Sequence, residues 1–149
     1  MISERLVQDA AALLERAKVR GLRLATAESC TGGLIAAAVT AVPGASLVLE
    51  RGLVTYSNEA KVELLGVPTE LIARRGALSQ EVALAMVEGA LKASRAEIAV
   101  AVTGVAGPDG GTAEKPIGLV HIAAARRGGA RLHEEHRFGD IGQIGRAYV

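Results

Sequence analysis

The chain has 149 residues, half of them hydrophobic, and 17 basic residues against 16 acidic ones leave a formal charge of +1. That balance, with aromatic residues at 2%, excludes both the positive field and the stacking platform of a nucleic-acid binder. A single cysteine excludes an intrachain disulfide, the apolar runs are too short for a membrane span, and residues 1–6 lack a signal-peptide core, so a soluble cytoplasmic protein with no membrane partner is expected.

Residues 3–19 repeat apolar side chains at helical spacing (Leu6, Ala10, Leu13, Leu14, Ala17) behind a cap at Ser3, and Gly21 ends this helix. The short apolar run 22–27 reads as a buried strand and the alanine-rich run 34–41 as a helix. Residues 28–33 are then a strand-to-helix turn, with Ser29 either its N-cap or a nucleophile. Pro43 and Gly44 stop the second helix. Residues 47–56 read as a strand in which Gly52 marks a bulge or a close crossing. Ser57 opens a helix that runs through Leu65, a short helix covers 69–75, and 80–94 form the best amphipathic helix, burying Val82, Ala85, Met86, Gly89 and Ala90. Residues 97–103 suit a central strand covered on both faces, and 117–125 and 130–138 flank Arg127-Gly128-Gly129 as a hairpin. This order predicts a single three-layer α/β/α domain with a mixed, mainly parallel sheet and a C-terminal β-hairpin.

Two strands end in small-residue loops, 28–33 and 103–111. Helix-connected neighbours in a sheet run parallel, so both loops open on one edge, where unpaired N–H groups favour an anion or a developing negative charge. Gly32 and Gly33 each cost about 1 kcal/mol relative to alanine in a first helical turn, which close ligand approach or close packing would offset. The second loop, with four glycines between 104 and 111, suits either a nest of N–H groups or an ordinary surface turn. No phosphate-binding loop, dinucleotide fingerprint or zinc motif is present. His121, His133 and His136 all fall on the hairpin, and a two-residue Gly128-Gly129 turn would set His121 opposite His136. Two imidazoles without a third ligand do not make a metal centre, so neither a metal nor a cofactor is expected.

A serine with no histidine to hand needs another base, and a lysine of depressed pKa serves. Lys61, after Tyr56-Ser57-Asn58-Glu59-Ala60, is the candidate, against the alternative of a solvated lysine paired with Glu59 or Glu63. Lys115 in the glycine-rich loop is a rival or a phosphate contact. Cys30 is a small buried hydrophobe or a competing nucleophile.

Three stretches then carry a resemblance: Thr26-Ala27-Glu28-Ser29-Cys30-Thr31-Gly32-Gly33, Gly52-Leu53-Val54-Thr55-Tyr56-Ser57-Asn58-Glu59-Ala60-Lys61, and Thr103-Gly104-Val105-Ala106-Gly107-Pro108-Asp109-Gly110-Gly111 with Lys115-Pro116-Ile117-Gly118. They resemble the CinA C-terminal domain family, in family order, from about residue 3 to Asp140. The resemblance implies a nicotinamide-nucleotide amidase, which converts nicotinamide mononucleotide to nicotinic acid mononucleotide and ammonia in pyridine nucleotide salvage. It places a serine–lysine pair on Ser29 and Lys61, with Tyr56 and Thr103 as further catalytic residues. Around the substrate it places Glu28, Cys30, Thr31, Gly32, Gly33, Gly104, Gly107, Gly110, Gly111 and Lys115, with N–H groups of 30–33 or Gly104 holding the oxyanion. It also implies a homodimer. The family's added N-terminal domain has no counterpart in this chain, and the run from Ile141 to Val149 departs from the family's arginine-bearing end. That departure leaves a second expectation standing, a catalytically weak nucleotide-binding or regulatory module.

Overall fold

A computed structural model describes residues 2–140, so the unusual run from 141 to 149 lies outside the described residues. Strands β1 (Leu24–Glu28), β2 (Leu49–Val54) and β3 (Ile98–Gly104) are parallel. Strands β4 (Leu119–Arg126) and β5 (Arg131–Arg137) return antiparallel, completing a sheet of spatial order β2-β1-β3-β4-β5. The expected α/β architecture with a mixed sheet and terminal hairpin is therefore the observed one.

Helices α1 (Glu4–Val19) and α2 (Leu34–Thr40) lie on one face, where Ala10, Leu14, Ala17 and Val39 pack with Leu24 and Val48. The opposite face carries α3 (Asn58–Leu65), α4 (Thr69–Arg75) and α5 (Gln80–Lys92). Strand alternation explains the division. Ala25, Ala27, Ala99, Ala101, Ala123 and Ala125 all point to the second face and make a floor of methyl groups on which Val82, Met86, Val87 and Ala90 of α5 rest. Each fully buried large side chain contributes about 2 kcal/mol. Against this floor α5 also meets the end of α3 so closely that a Cβ on Gly89 would collide with the Leu65 carbonyl.

The helix starts follow their sequence signals. Ser3, Ser57 and Ser79 accept the N–H groups of Leu6, Ala60 and Val82, caps that contribute about 1 kcal/mol each. At the other end of α5, the Arg127 guanidinium reaches over from the hairpin tip and donates to the carbonyls of Leu91, Ser94 and Ala96.

The structure decides one open alternative and corrects other expectations. The bulge in β2 falls at Glu50, because Leu24 pairs with Leu49 and Ala25 with Arg51. Gly52 is the close crossing instead: a Cβ there would stand 3.1 Å from that of Ala36. Leu13 of the α1 apolar repeat is exposed, and Ala85, expected on the buried face of α5, is only half-buried, while Ala83, Val87 and Leu91 join that face. The hairpin loop holds three residues, since the Arg126 N–H bonds the Ala130 carbonyl. One extra loop residue shifts the register by one, so His121 opposes Glu135, not His136. The His121 Nδ1 lies 2.9 Å from Nε2 of His133, diagonally across the strands. Among the described residues no group of three ligating side chains could hold a metal ion, and no helix is long and apolar enough to cross a membrane.

Candidate active site

The pair at the carboxyl edge of the parallel strands comes from two separate segments. The chain leaves β1 at Ser29, whose N–H donates to the Val102 carbonyl at 2.9 Å and so ties the turn to β3. Lys61 lies in α3, which starts directly beyond β2, and its side chain runs back under the strand end with 1% of its surface exposed. Its Nζ is 3.0 Å from Ser29 Oγ. The same nitrogen donates to the carbonyls of Thr55 at 2.9 Å, Tyr56 at 3.2 Å and Ser57 at 3.4 Å. Among the described residues it forms no ion pair, so the solvated lysine bridged to Glu59 or Glu63 is not what the fold contains.

Burial penalises the ammonium form and pushes the Lys61 pKa below that of an ordinary lysine; a thiolate at Cys30 would partly oppose the shift. A neutral amine has two N–H donors and one lone pair. Two carbonyls take the donors, and the lone pair meets the Ser29 hydroxyl. An ammonium has three donors, for which three carbonyls stand ready. The cradle therefore satisfies the nitrogen before and after it gains a proton.

The turn between Ser29 and α2 is organised by Glu28, whose side chain is 1% exposed. One carboxyl oxygen accepts the Thr31 hydroxyl at 2.7 Å and the Ile35 N–H at 2.8 Å. The other accepts the Ala36 N–H at 3.0 Å and faces the Thr26 hydroxyl at 3.5 Å. Ser29 is accordingly not the helix N-cap. That position is Gly33, at φ +101° and with no side-chain cap bond, and a Cβ there would press on Val54 at 3.3 Å. The helix end that would attract an external anion is filled by the protein's own carboxyl group.

The other expected residues are distributed unevenly. Tyr56 reaches Lys61 through its backbone carbonyl, and the residue is 61% exposed. Cys30 is buried with Val102 and Val120, and a Cβ on Gly104 would stand 3.1 Å from its sulfur. The Gly32 N–H is taken by the Ser29 carbonyl. Thr103 is buried on the α5 face, where its hydroxyl donates to the Ala77 carbonyl at 2.9 Å. Gly110 and Gly111 lie in the exposed part of the second loop and Gly107 at its half-buried start. Lys115 bonds the Arg75 carbonyl at 2.7 Å, at the end of α4. Sequence reasoning did not single out Thr55, which supplies the nearest carbonyl to Lys61 and carries a buried hydroxyl with no hydrogen-bond partner. Its only sequence signal is its place at the end of a strand, two residues before a helix cap.

An open mixed sheet with helices on both faces, and a buried serine–lysine pair where its parallel strands end, defines an α/β protein of the class whose ligands bind beyond the carboxyl ends of the strands. The chain belongs to the CinA C-terminal domain family, whose model matches residues 7–149. It is 54% identical to a CinA-like protein of Geobacter sp. strain M21 over 138 residues, which cover 93% of this chain and 33% of that protein. A CinA-like protein of Akkermansia muciniphila is 58% identical over 125 residues, covering 80% of this chain and 30% of that one. The chain thus spans about a third of the length of these curated relatives. Among solved structures, the competence/damage inducible protein CihA from Agrobacterium tumefaciens superposes with a TM-score of 0.96 at 50% identity, covering 99% of this chain and 89% of its own. Competence damage-inducible protein A from Klebsiella pneumoniae gives 0.90 at 36% identity, over 95% and 87% of the two chains.

Proposed function

We propose that this protein hydrolyses the carboxamide of nicotinamide mononucleotide, giving nicotinic acid mononucleotide and ammonia. One observation carries the reading: a buried lysine, with no carboxylate partner among the described residues, has its nitrogen 3.0 Å from a serine hydroxyl. In this reading the Lys61 lone pair takes the Ser29 proton as Oγ bonds to the amide carbon. The carbonyl electrons move onto oxygen, held by N–H groups among Cys30, Thr31, Gly33 and Gly104; Gly32 drops out because its own is taken. Loss of one such donor typically costs about 3 kcal/mol. Collapse breaks the C–N bond, and the amine leaves as ammonia with the proton from Lys61. The ester left on Ser29 is attacked by a water whose proton passes to Lys61, which releases the acid and restores the serine.

The filled end of α2 directs the phosphate elsewhere, to the second loop with Lys115. Tyr56 offers its exposed ring to the pyridine and its carbonyl to the base. Thr103 supports the pocket wall through Ala77. A cytoplasmic homodimer belongs to the same proposal.

Incubation with the mononucleotide and measurement of ammonia tests it. Release should fall by at least about 1000-fold in both Ser29→Ala and Lys61→Met and survive in Cys30→Ala. Binding without release would favour a nucleotide-binding module, and a dead Cys30→Ala beside an active Ser29→Ala would move the nucleophile to Cys30.

A further inference from the structure

We propose that Glu28 is a positioning residue that sets Ser29 against Lys61, rather than a residue that touches substrate. The inference rests on the reading of Ser29 and Lys61 as the reacting pair. Thirty-two residues separate these two in the chain, so their distance depends on what holds the two segments together. Glu28 touches both. Its backbone carbonyl accepts the Thr55 N–H at 2.8 Å, and the Thr55 carbonyl is the nearest acceptor of Lys61 Nζ. Its side chain meanwhile pins the turn that bears Ser29, through the Thr31 hydroxyl and the first N–H groups of α2.

The Glu28 carboxyl group itself is buried, with Thr26, Thr31 and Thr55 buried around it, so a donor that loses this acceptor is costly to satisfy otherwise. Each oxygen of Glu28 faces donors, so the amide of a glutamine would have to turn its NH2 group toward one set or the other. Either Thr31 and Ile35 or Ala36 and Thr26 would then meet a donor instead of an acceptor. The turn would relax, and Ser29 Oγ would drift from the lysine nitrogen while the Thr55 carbonyl kept its hold on Lys61.

Two variants test this: Glu28→Gln, and Thr31→Val with Thr31→Ser as its control. Ammonia release from nicotinamide mononucleotide gives kcat and KM, and labelling of Ser29 by a fluorophosphonate reports serine reactivity without any substrate. Positioning predicts that Glu28→Gln lowers kcat and the labelling rate together by about 100-fold, the cost of a displaced reacting group, with KM and the shape of the pH profile unchanged. Thr31→Val should lose about tenfold in the same two quantities, with Thr31→Ser restoring them. Should Glu28→Gln fail to fold, the Thr31 pair carries the test. A raised KM at unchanged kcat would make Glu28 a substrate contact, and variants with lower melting temperatures but unchanged kcat and labelling would make it a helix cap only; either result overturns the proposal. If wild-type protein releases no ammonia yet its labelling still depends on Glu28 and Thr31, the amidase reading fails and the positioning role stands. A wild-type Ser29 that the fluorophosphonate does not label overturns both.

Discussion

The two glycine-bearing strand ends follow opposite plans. In the first, every residue from Thr26 to Thr31 is buried, and a carboxyl group inside the turn ties strand to helix. In the second, residues 108–114 are exposed, the Thr112 hydroxyl accepts the Lys115 N–H within the loop, and the Lys115 side chain ties it to the end of α4. Both ends are rich in glycine, but only the first uses that to pack backbone tightly around side chains. The difference assigns fixed geometry to the pair that would react and adaptability to the part that would accommodate a ligand.

The comparison can be broken most severely at Lys61. Because the folded protein holds this lysine with a lowered pKa, the folded state binds fewer protons than the unfolded chain from that pKa up to the ordinary value of 10.5. Stability should therefore rise with pH across that window, and kcat/KM should rise through the same lowered pKa as the base becomes neutral. Denaturant titrations and pH–rate profiles of wild type and Lys61→Met check this: the variant should lose both the activity and the slope. A smaller effect is expected at Gly104, where the two loops touch. An added Cβ would stand 2.8 Å from Val120 Cγ2 and 2.9 Å from the Leu119 carbonyl, so Gly104→Ala should cost about 1–3 kcal/mol in melting experiments and lower kcat through Cys30. The mildest change is Lys115→Met. It removes one cation from the carbonyl end of α4, for which less than about 1 kcal/mol is expected, and it should raise KM while kcat stays put. If kcat falls and KM holds, the two loops do not divide their tasks in this way.

Much of the architecture was legible because each element carried its own punctuation: serine before α1, α3 and α5, glycine after α3, and small apolar residues throughout β1 and β3. The hairpin register was not legible, because Arg127-Gly128-Gly129 accommodates a loop of two residues or three, and only the Arg126–Ala130 hydrogen bond decides. The site was half legible. Ser29 lies on the turn where a reactive group is expected, but Lys61 is flanked by Glu59 and Glu63 and reads locally as a solvated residue. Its burial is a tertiary effect, produced by the three carbonyls at the end of β2 and the approach of β1. The bonds of Glu28 were hidden for the opposite reason. The resemblance set it beside the substrate, and its bonds to residues seven and eight positions on appear only once the turn is folded.

Gly89 has no part in the chemistry, yet α3 comes to rest against α5 at that point, and α3 carries the amine. A methyl group added on the hidden side of α5 would lift the far end of that helix and, with it, tilt the reagent at its near end. Efforts to harden the interior and efforts to retune turnover would thus converge on one spot that no ligand ever sees.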